Sequence, residues 1–220
     1  MTADAARRAP HPAVDGRPAE LRALADAIRD LIDATVTTDA PAQVTADVAR
    51  RVDELTAALR EHTPDTPYPR FVFTPDDVEE TALADRMPFD AVIGAYNPIA
   101  LPVDVAVVDG KAIGRATFTT PFEGPPGCVQ GGVIAATFDI VLSAANRAAQ
   151  AAGPTVSLTM RYRRPTLLHR ELVVECEVVE TDGRRTRSVG RIVQDGEVTV
   201  EAEGVFAVVD PKTIASFRAR

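Results

Sequence analysis

Residues 131–152 constrain the fold of this chain more than any other segment, because they predict a helix that is apolar on nearly every side. Two glycines open the segment and Gly153-Pro154 closes it, so the helix has a start signal and a stop signal in the right places. A helix that is hydrophobic all round has to be buried. The rest of the chain must therefore enclose it. The apolar residues of its first half are Val133, Ile134, Ala135, Ala136, Phe138, Ile140, Val141, Leu142, Ala144 and Ala145.

Segments with alternating apolar residues flank this helix and predict about six strands. Two precede it, near 103–108 and 112–120, and four follow it, at 156–162, 171–181, 184–194 and 197–209. Asp-Gly pairs at 109, 182 and 195 separate consecutive segments and favour tight hairpins. In the segment 156–162 the alternation predicts one buried and one polar face. An antiparallel sheet of about six strands curled around one central helix is an α+β arrangement called the hotdog fold.

The N-terminal third has a different pattern. Residues 1–17 predict a mobile tail without periodicity, and residues 18–62 predict a helical hairpin in which each helix carries an apolar stripe. Residues 63–70 form a proline-rich linker, and 71–220 form the hotdog domain, with a short helix expected near 76–84. Two helices cannot bury both stripes alone. We therefore expect the hairpin to pack on the rest of the chain or on another copy of it.

Composition excludes several classes of function. The 220 residues carry a net charge of -8 and include no Trp, which disfavours nucleic acid as a partner. No stretch is long and apolar enough to predict a membrane span. Two distant cysteines and three scattered histidines predict neither a disulfide nor a metal site, and we expect no cofactor. A cytoplasmic protein is the expectation.

The segment 122–132, followed by Asp139, carries the chemistry that the sequence predicts. Glycines at a helix start let a ligand oxygen approach, and the unpaired N–H groups there can polarise a carbonyl. Asp139 interrupts an otherwise apolar helix, where a carboxylate is costly unless it faces a cavity, a partner or water. Gly131 and Asp139 are separated by about 12 Å of helix rise. If both serve one reaction, the site combines residues of two protomers.

These motifs resemble those of the hotdog acyl-CoA thioesterases of the PaaI-like group. Their pattern is Gly-Pro-Pro-Gly-x-x-His-Gly-Gly, an acid on the central helix, and Tyr-x-Arg-Pro on a strand; here these fall at 124–132, 139 and 162–165. The resemblance implies a homodimer, often paired into a tetramer. It also implies that Gly131 binds the thioester oxygen, that Asp139 activates water or attacks directly, and that Thr155 helps to hold the water. The expected substrate contacts are Gly132, Val129 and the basic residues Arg161, Arg163 and Arg164, the arginines holding CoA phosphates.

One departure from that pattern is Gln130, which stands where the family has His. Gln can donate and accept hydrogen bonds but does not titrate near neutral pH. We expect hydrolysis of an acyl-CoA or related thioester. The alternative is a non-catalytic acyl-CoA or acyl-ligand binding protein that lost activity through Gln130. Recruitment of a partner by the hairpin is a third hypothesis, whereas hydration of an enoyl thioester is disfavoured because no histidine follows Asp139 at the required spacing.

Overall fold

The computed structural model describes residues 11–66 and 87–208. The predicted short helix near 76–84, most of the tail and the end of the linker lie outside these residues. The helices are α1 (Pro18–Thr37), α2 (Ala42–Arg60) and α3 (Gly131–Ala148), with a short 3-10 helix at Thr120–Phe122. The strands are β1 (Val103–Val108), β2 (Lys111–Thr117), β3 (Thr155–Tyr162), β4 (Glu171–Thr181), β5 (Arg185–Gln194) and β6 (Glu197–Ala207).

The six strands form one antiparallel sheet in the order β1-β2-β4-β5-β6-β3. The three predicted Asp-Gly turns connect β1 to β2, β4 to β5 and β5 to β6. All three glycines adopt positive φ angles, and so do Asp109 and Asp195, as tight hairpins require. Helix α3 lies against the inner face of the sheet and contacts all six strands. The predicted hotdog fold is confirmed.

The core forms where α3 meets the sheet, as its sequence predicts. Phe138, Val141 and Leu142 of the helix are fully buried and pack with the inward side chains of the strands, such as Val174 and Phe206. The helix ends at Ala148, four residues earlier than the sequence suggests, and Gln150 takes a left-handed conformation with φ 55 that ends it. Burial of the apolar helix therefore fixes the centre of the domain.

Strand β3 differs from its expected burial because it lies at the edge of the sheet. Leu158 and Met160 are only half-buried, while Val156 and Tyr162 are 53% and 55% exposed. The strand pairs with β6 on one side, and its other side has no strand partner among the described residues. The prediction of one buried face is thus wrong for the single chain. An exposed edge strand with apolar side chains is a surface that proteins normally cover.

The N-terminal helical pair forms at the predicted positions, but the two helices are anchored very differently. Helix α1 buries Ala25 and packs on the 3-10 helix. The guanidinium of Arg29 donates to the carbonyls of Ala95 and Asn97 at 3.3 and 2.8 Å, which ties α1 to the chain before β1. Helix α2 buries none of its residues. Among the described residues, no helix is long and apolar enough to cross a membrane.

A polar link inside the core went unpredicted. Ser188 of β5 donates to the side-chain oxygen of Asn146 near the end of α3, and both residues are fully buried. Thr186 also donates to the carbonyl of Ala151 at 3.1 Å. Buried polar groups need such partners because an unpaired group loses its hydrogen bonds to water. These contacts tie the C-terminal end of α3 to the middle of the sheet.

Candidate functional site

The loop before α3 is held by its own hydrogen bonds. Gly124 donates to the carbonyl of Cys128 at 2.9 Å, and the carboxylate of Glu123 accepts from the N–H of Gly127 at 2.6 Å. Gly127 has φ 72, a left-handed conformation that glycine adopts without strain. The N–H of Gln130 donates to Phe122 at 2.9 Å and closes the loop. This arrangement fixes the direction in which α3 begins.

Gln130 caps the start of α3. Its side-chain oxygen accepts from the N–H of Val133 at 3.0 Å, which satisfies one of the donors that a helix start leaves unpaired. The N–H groups of Gly131 and Gly132 have no acceptor among the described residues. They also lie at the positive end of the helix dipole. The helix start therefore offers two donors suited to a developing negative charge.

Tyr162 reaches the same helix start from the end of β3. Its hydroxyl donates to the carbonyl of Gly131 at 3.0 Å, and desolvation raises the pKa of this phenol above its ordinary value. A Cβ placed on Gly131 would lie 3.1 Å from the Tyr162 hydroxyl oxygen, tighter than ordinary contact. A residue without a side chain therefore lets the tyrosine sit directly on the helix start.

Asp139 lies on one side of α3 and is half-buried. Its carboxylate does not bond to a hydroxyl group of its own helix. Its Oδ1 accepts from the Oγ1 of Thr155 at 2.6 Å, whereas Thr137 donates to the carbonyl of Val133 instead. Thr155 is exposed and begins the edge strand β3. One carboxylate oxygen is thus oriented by the threonine. This places the predicted acid and the predicted hydroxyl in direct contact.

The two ends of β3 contact two separate points along α3. Thr155 at the start of the strand bonds Asp139, and Tyr162 at its end bonds Gly131. Helix and strand therefore run in opposite directions along this edge of the domain. Asp139 stays about 12 Å of helix rise away from Gly131. A single chain does not bring the carboxylate and the free N–H groups to one reacting atom.

The predicted basic contacts are not equivalent. Arg163 pairs with Glu201 at 2.6 Å and Arg164 pairs with Glu197 at 3.0 Å. The guanidinium of Arg161 has no hydrogen-bond or ion-pair partner among the described residues. It lines an open groove of about 690 Å³ on the outer face of the sheet. The same groove is lined by Lys111 and Arg191 and by four glutamates, Glu175, Glu177, Glu201 and Glu203. Arg161 is therefore the one of the three arginines that has no acidic partner among the described residues.

Val129 is placed differently from the other predicted contacts. Its side chain is buried in the core, and its N–H donates to the carbonyl of Thr166 at 2.8 Å. Its contact with substrate stays a prediction. A second cleft, of about 1060 Å³, lies between α1 and residues 93–104 and extends to Phe122. Neither cleft is lined by Gly131 or Asp139.

The site residues suit acid–base chemistry supported by hydrogen bonds. Among the described residues, no group of three or more His, Cys, Asp or Glu side chains could hold a metal ion. Cys128 is half-buried and its thiol faces the carbonyl of Pro126, while burial raises the pKa of the Cys176 thiol. Sequence reasoning named Asp139, Thr155 and the glycines, but it did not assign a contact to Tyr162. Its position in the Tyr-x-Arg-Pro motif was the available signal.

Comparisons with known proteins agree on one family. The family profile described as Thioesterase superfamily matches residues 126–201. A crystal structure described as a thioesterase superfamily protein is 34% identical, covers 85% of this chain and 94% of that one, and has a TM-score of 0.74.

Two smaller structures are less similar. A phenylacetic acid degradation-related protein from Ralstonia eutropha JMP134 is 25% identical over 49% of this chain and 86% of its own, with a TM-score of 0.46. The PaaI protein of E. coli is 18% identical over 48% of this chain and 82% of its own, with a TM-score of 0.46. A comparison with curated proteins finds no match.

Proposed function

This chain belongs to the thioesterase superfamily, and from that premise we propose that it hydrolyses an acyl-CoA or related acyl thioester to an acid and a thiol at a site shared by two protomers. We place it in the PaaI-like group of that superfamily, with Gln130 in the position of the group's histidine. The catalytic domain spans 71–220, and the cytoplasm is its proposed location.

The observation that carries this proposal is the attachment of α3 to both ends of the edge strand β3. Thr155 holds Asp139 at the start of β3, and Tyr162 holds Gly131 at its end. If two copies pair antiparallel through β3, the start of one strand lies beside the end of the other. The Asp139 region of one protomer then approaches the Gly131 region of its partner. Two such sites form in a symmetric dimer.

The residues divide the reaction between the protomers. The free N–H groups of Gly131 and Gly132 bind the thioester oxygen and stabilise the negative charge that develops on it. Asp139 of the other protomer takes a proton from water, and the water oxygen attacks the thioester carbon. The tetrahedral intermediate collapses, the C–S bond breaks, and the thiolate takes the proton from Asp139. Direct attack by Asp139, followed by hydrolysis of an anhydride, is the second route open to the same carboxylate.

Two residues act as positioning residues in this proposal. Thr155 orients Asp139 by its hydrogen bond at 2.6 Å, and Gln130 holds the helix start by capping Val133. Neither role needs a group that titrates near neutral pH. The loss of the histidine therefore does not by itself favour the non-catalytic binding protein, since the free donors and the carboxylate are both retained.

An acyl-CoA carries phosphates, which an acidic chain must hold by a local positive group. Arg161 supports this assignment because its guanidinium has no partner among the described residues. Arg163 and Arg164 already have acidic partners. We propose Arg161 as the principal phosphate contact of the three.

Thiol release from a panel of aliphatic and aromatic acyl-CoAs tests the proposed reaction. The unmodified chain should release thiol, and Asp139→Asn should reduce kcat by about 10²- to 10⁴-fold. Asp109→Asn is the matched control, because it removes the same charge in a hairpin turn with φ 51 that Asn tolerates. If the unmodified chain and Asp139→Asn release thiol at the same rate on every substrate, the enzyme hypothesis is wrong. Tight binding of acyl-CoA without turnover would then support the binding-protein alternative.

Mixing two inactive variants tests whether the site is shared. Asp139→Asn and Gly131→Val chains should each be inactive alone, the second because a bulky side chain would collide with the Tyr162 hydroxyl. After exchange of subunits, a mixed dimer has one site with both native residues. If equal amounts exchange at random, half of the dimers are mixed and each of these has one of its two sites intact. Recovery of about a quarter of the unmodified activity therefore supports a shared site, and no recovery despite proven exchange contradicts it.

A further inference from the structure

Helix α2 presents an apolar stripe that nothing in the described part of the chain covers. The stripe consists of Val44, Val48, Val52, Leu55 and Leu59, which recur at helical spacing. Four of these side chains are exposed, Leu55 by 67%, and Val52 is half-buried. The helix is 19 residues long and makes no extensive contact with another described element. A stripe of this kind on a stable helix is typical of an interaction surface.

We propose that the partner of this stripe is the α2 helix of a second copy of the chain, packed antiparallel across a two-fold axis. Val44 and Leu59 lie equally far from a point between Arg51 and Val52, on opposite sides of it, and so do Val48 and Leu55. A stripe that is symmetric about its midpoint matches itself when one helix is reversed. Val44 and Val48 of one copy then lie opposite Leu59 and Leu55 of the other, while Val52 lies beside the axis, opposite Arg51. This symmetry is what an isologous contact requires.

The charges of α2 favour the same partner. The helix carries three arginines and three carboxylates, so it is neutral overall. Ion pairs within the helix, from Arg50 to Glu54 at 2.9 Å and from Arg51 to Asp47 at 3.1 Å, balance these charges locally. Two neutral helices approach without net repulsion. An anionic membrane surface would instead favour an amphipathic helix with a basic excess.

The area of the stripe indicates what the contact does. A helix of 19 residues is about 28 Å long and offers a strip about 10 Å wide, which gives roughly 300 Å² per copy. A stable interface buries about 800 Å² per partner, so one α2 pair does not hold two chains by itself. In a tetramer made from two dimers, two such pairs bury roughly 1,200 Å² in total, at the lower limit of stable interfaces. The α2 pair therefore joins dimers into tetramers.

This step rests on the β3-paired dimer of the proposed function, but it does not depend on hydrolysis. The mass of the full chain in solution, measured by light scattering after size exclusion, tests it. Val48→Glu with Leu55→Glu places charges in the stripe and should halve the number of subunits in the assembly. Ala46→Glu with Ala57→Glu adds the same charges on the opposite side of the helix and should leave the mass unchanged. Circular dichroism checks that each variant is folded.

Cross-linking tests the antiparallel register of the two α2 helices. Its result does not depend on whether the variant with Val48→Glu and Leu55→Glu folds. Val52→Cys lies beside the two-fold axis and should form a cross-linked chain dimer, whereas Val44→Cys lies about 22 Å from its own copy along the axis and should not. The unmodified chain, with Cys128 half-buried and Cys176 buried, is treated in parallel as the background. An unchanged mass in the stripe variant, or cross-linking at 44 but not at 52, would overturn the proposal. Loss of thioesterase activity alone would bear only on the proposed function.

Discussion

The Oγ1 of Thr155 donates to the Oδ1 of Asp139 at 2.6 Å and joins the first residue of the edge strand to the acid of the central helix. The two residues are 16 positions apart in the sequence. The bond involves only Oδ1, so Thr155 orients the carboxylate of Asp139 without occupying its second oxygen. A short contact to an ionised carboxylate is among the stronger hydrogen bonds in proteins.

Replacing Thr155 tests whether this contact orients the acid for reaction. Thr155→Val keeps the shape but removes the donor, and we expect kcat to fall about ten- to hundred-fold, the equivalent of one hydrogen bond to a charged group. Thr155→Ser retains the donor and should restore most of the rate. The measurement is kcat and KM on one acyl-CoA. An equal loss of kcat in both variants would show that the hydroxyl of residue 155 does not orient the acid.

Gln130 can be separated into a capping role and a ligand-contact role. Gln130→Ala should lower stability by about 1 kcal/mol, because the N–H of Val133 loses its acceptor. Gln130→Ser restores a cap without the amide group, so it should recover the stability. Thermal unfolding measures the contribution of the cap to stability, and kcat/KM measures the contribution of the side chain to the reaction. If Gln130→Ser is stable but slow, the amide itself contributes to the site.

Gly131 and Tyr162 should be energetically coupled. Gly131→Ala places a Cβ 3.1 Å from the tyrosine hydroxyl and should destabilise the protein. In a Tyr162→Phe background the oxygen is gone and the nearest ring carbon is 3.5 Å away, so the same alanine should cost less. A double-mutant cycle by denaturant unfolding measures the coupling. Additive effects would contradict a direct steric conflict.

Arg161 and Arg163 form a matched pair for the proposed phosphate contact. Arg161→Ala should raise KM for acyl-CoA by about tenfold, since one charge-assisted contact is lost. Arg163→Ala removes the same charge from a residue already paired with Glu201, and its effect should be smaller. Both effects should weaken as salt concentration rises. A larger rise in KM for Arg163→Ala than for Arg161→Ala would show that Arg163, and not Arg161, is the principal phosphate contact.

The turn between β4 and β5 should make part of the stability depend on pH. The N–H groups of Arg185 and Arg184 bond to the carboxylate of Asp182 and lower its pKa from the ordinary value. The stabilisation is therefore present above about pH 4, where an unfolded Asp is ionised, and is lost as pH falls through the lower folded pKa. Asp182→Asn keeps an acceptor without a titrating group. The melting temperature of the unmodified chain should thus fall relative to that of Asp182→Asn as pH decreases below 4, and a constant difference would contradict the assignment.

The sequence by itself determined the elements of this protein and the residue types of its site. An all-apolar segment has to be buried, alternating strands with Asp-Gly turns form hairpins, and glycines before a helix leave N–H groups free; each rule depends only on neighbouring residues. Thus the central helix, the six strands, the two N-terminal helices and the candidates Asp139 and Gly131 could be read from the chain, whereas Thr155 was named only through the resemblance to a family.

Only the tertiary structure decided which of these residues meet. The sequence does not state that β3 follows β6 at the edge of the sheet, because strand order depends on how the whole chain folds back on itself. That order exposes Val156, brings Thr155 to Asp139 and Tyr162 to Gly131, and leaves the two ends of the site apart within one chain. Within the described residues 11–66 and 87–208 it likewise leaves the stripe of α2 uncovered, whereas α1 is bonded to the chain before β1 through Arg29. Long-range packing sets these relations, and local propensity does not contain them.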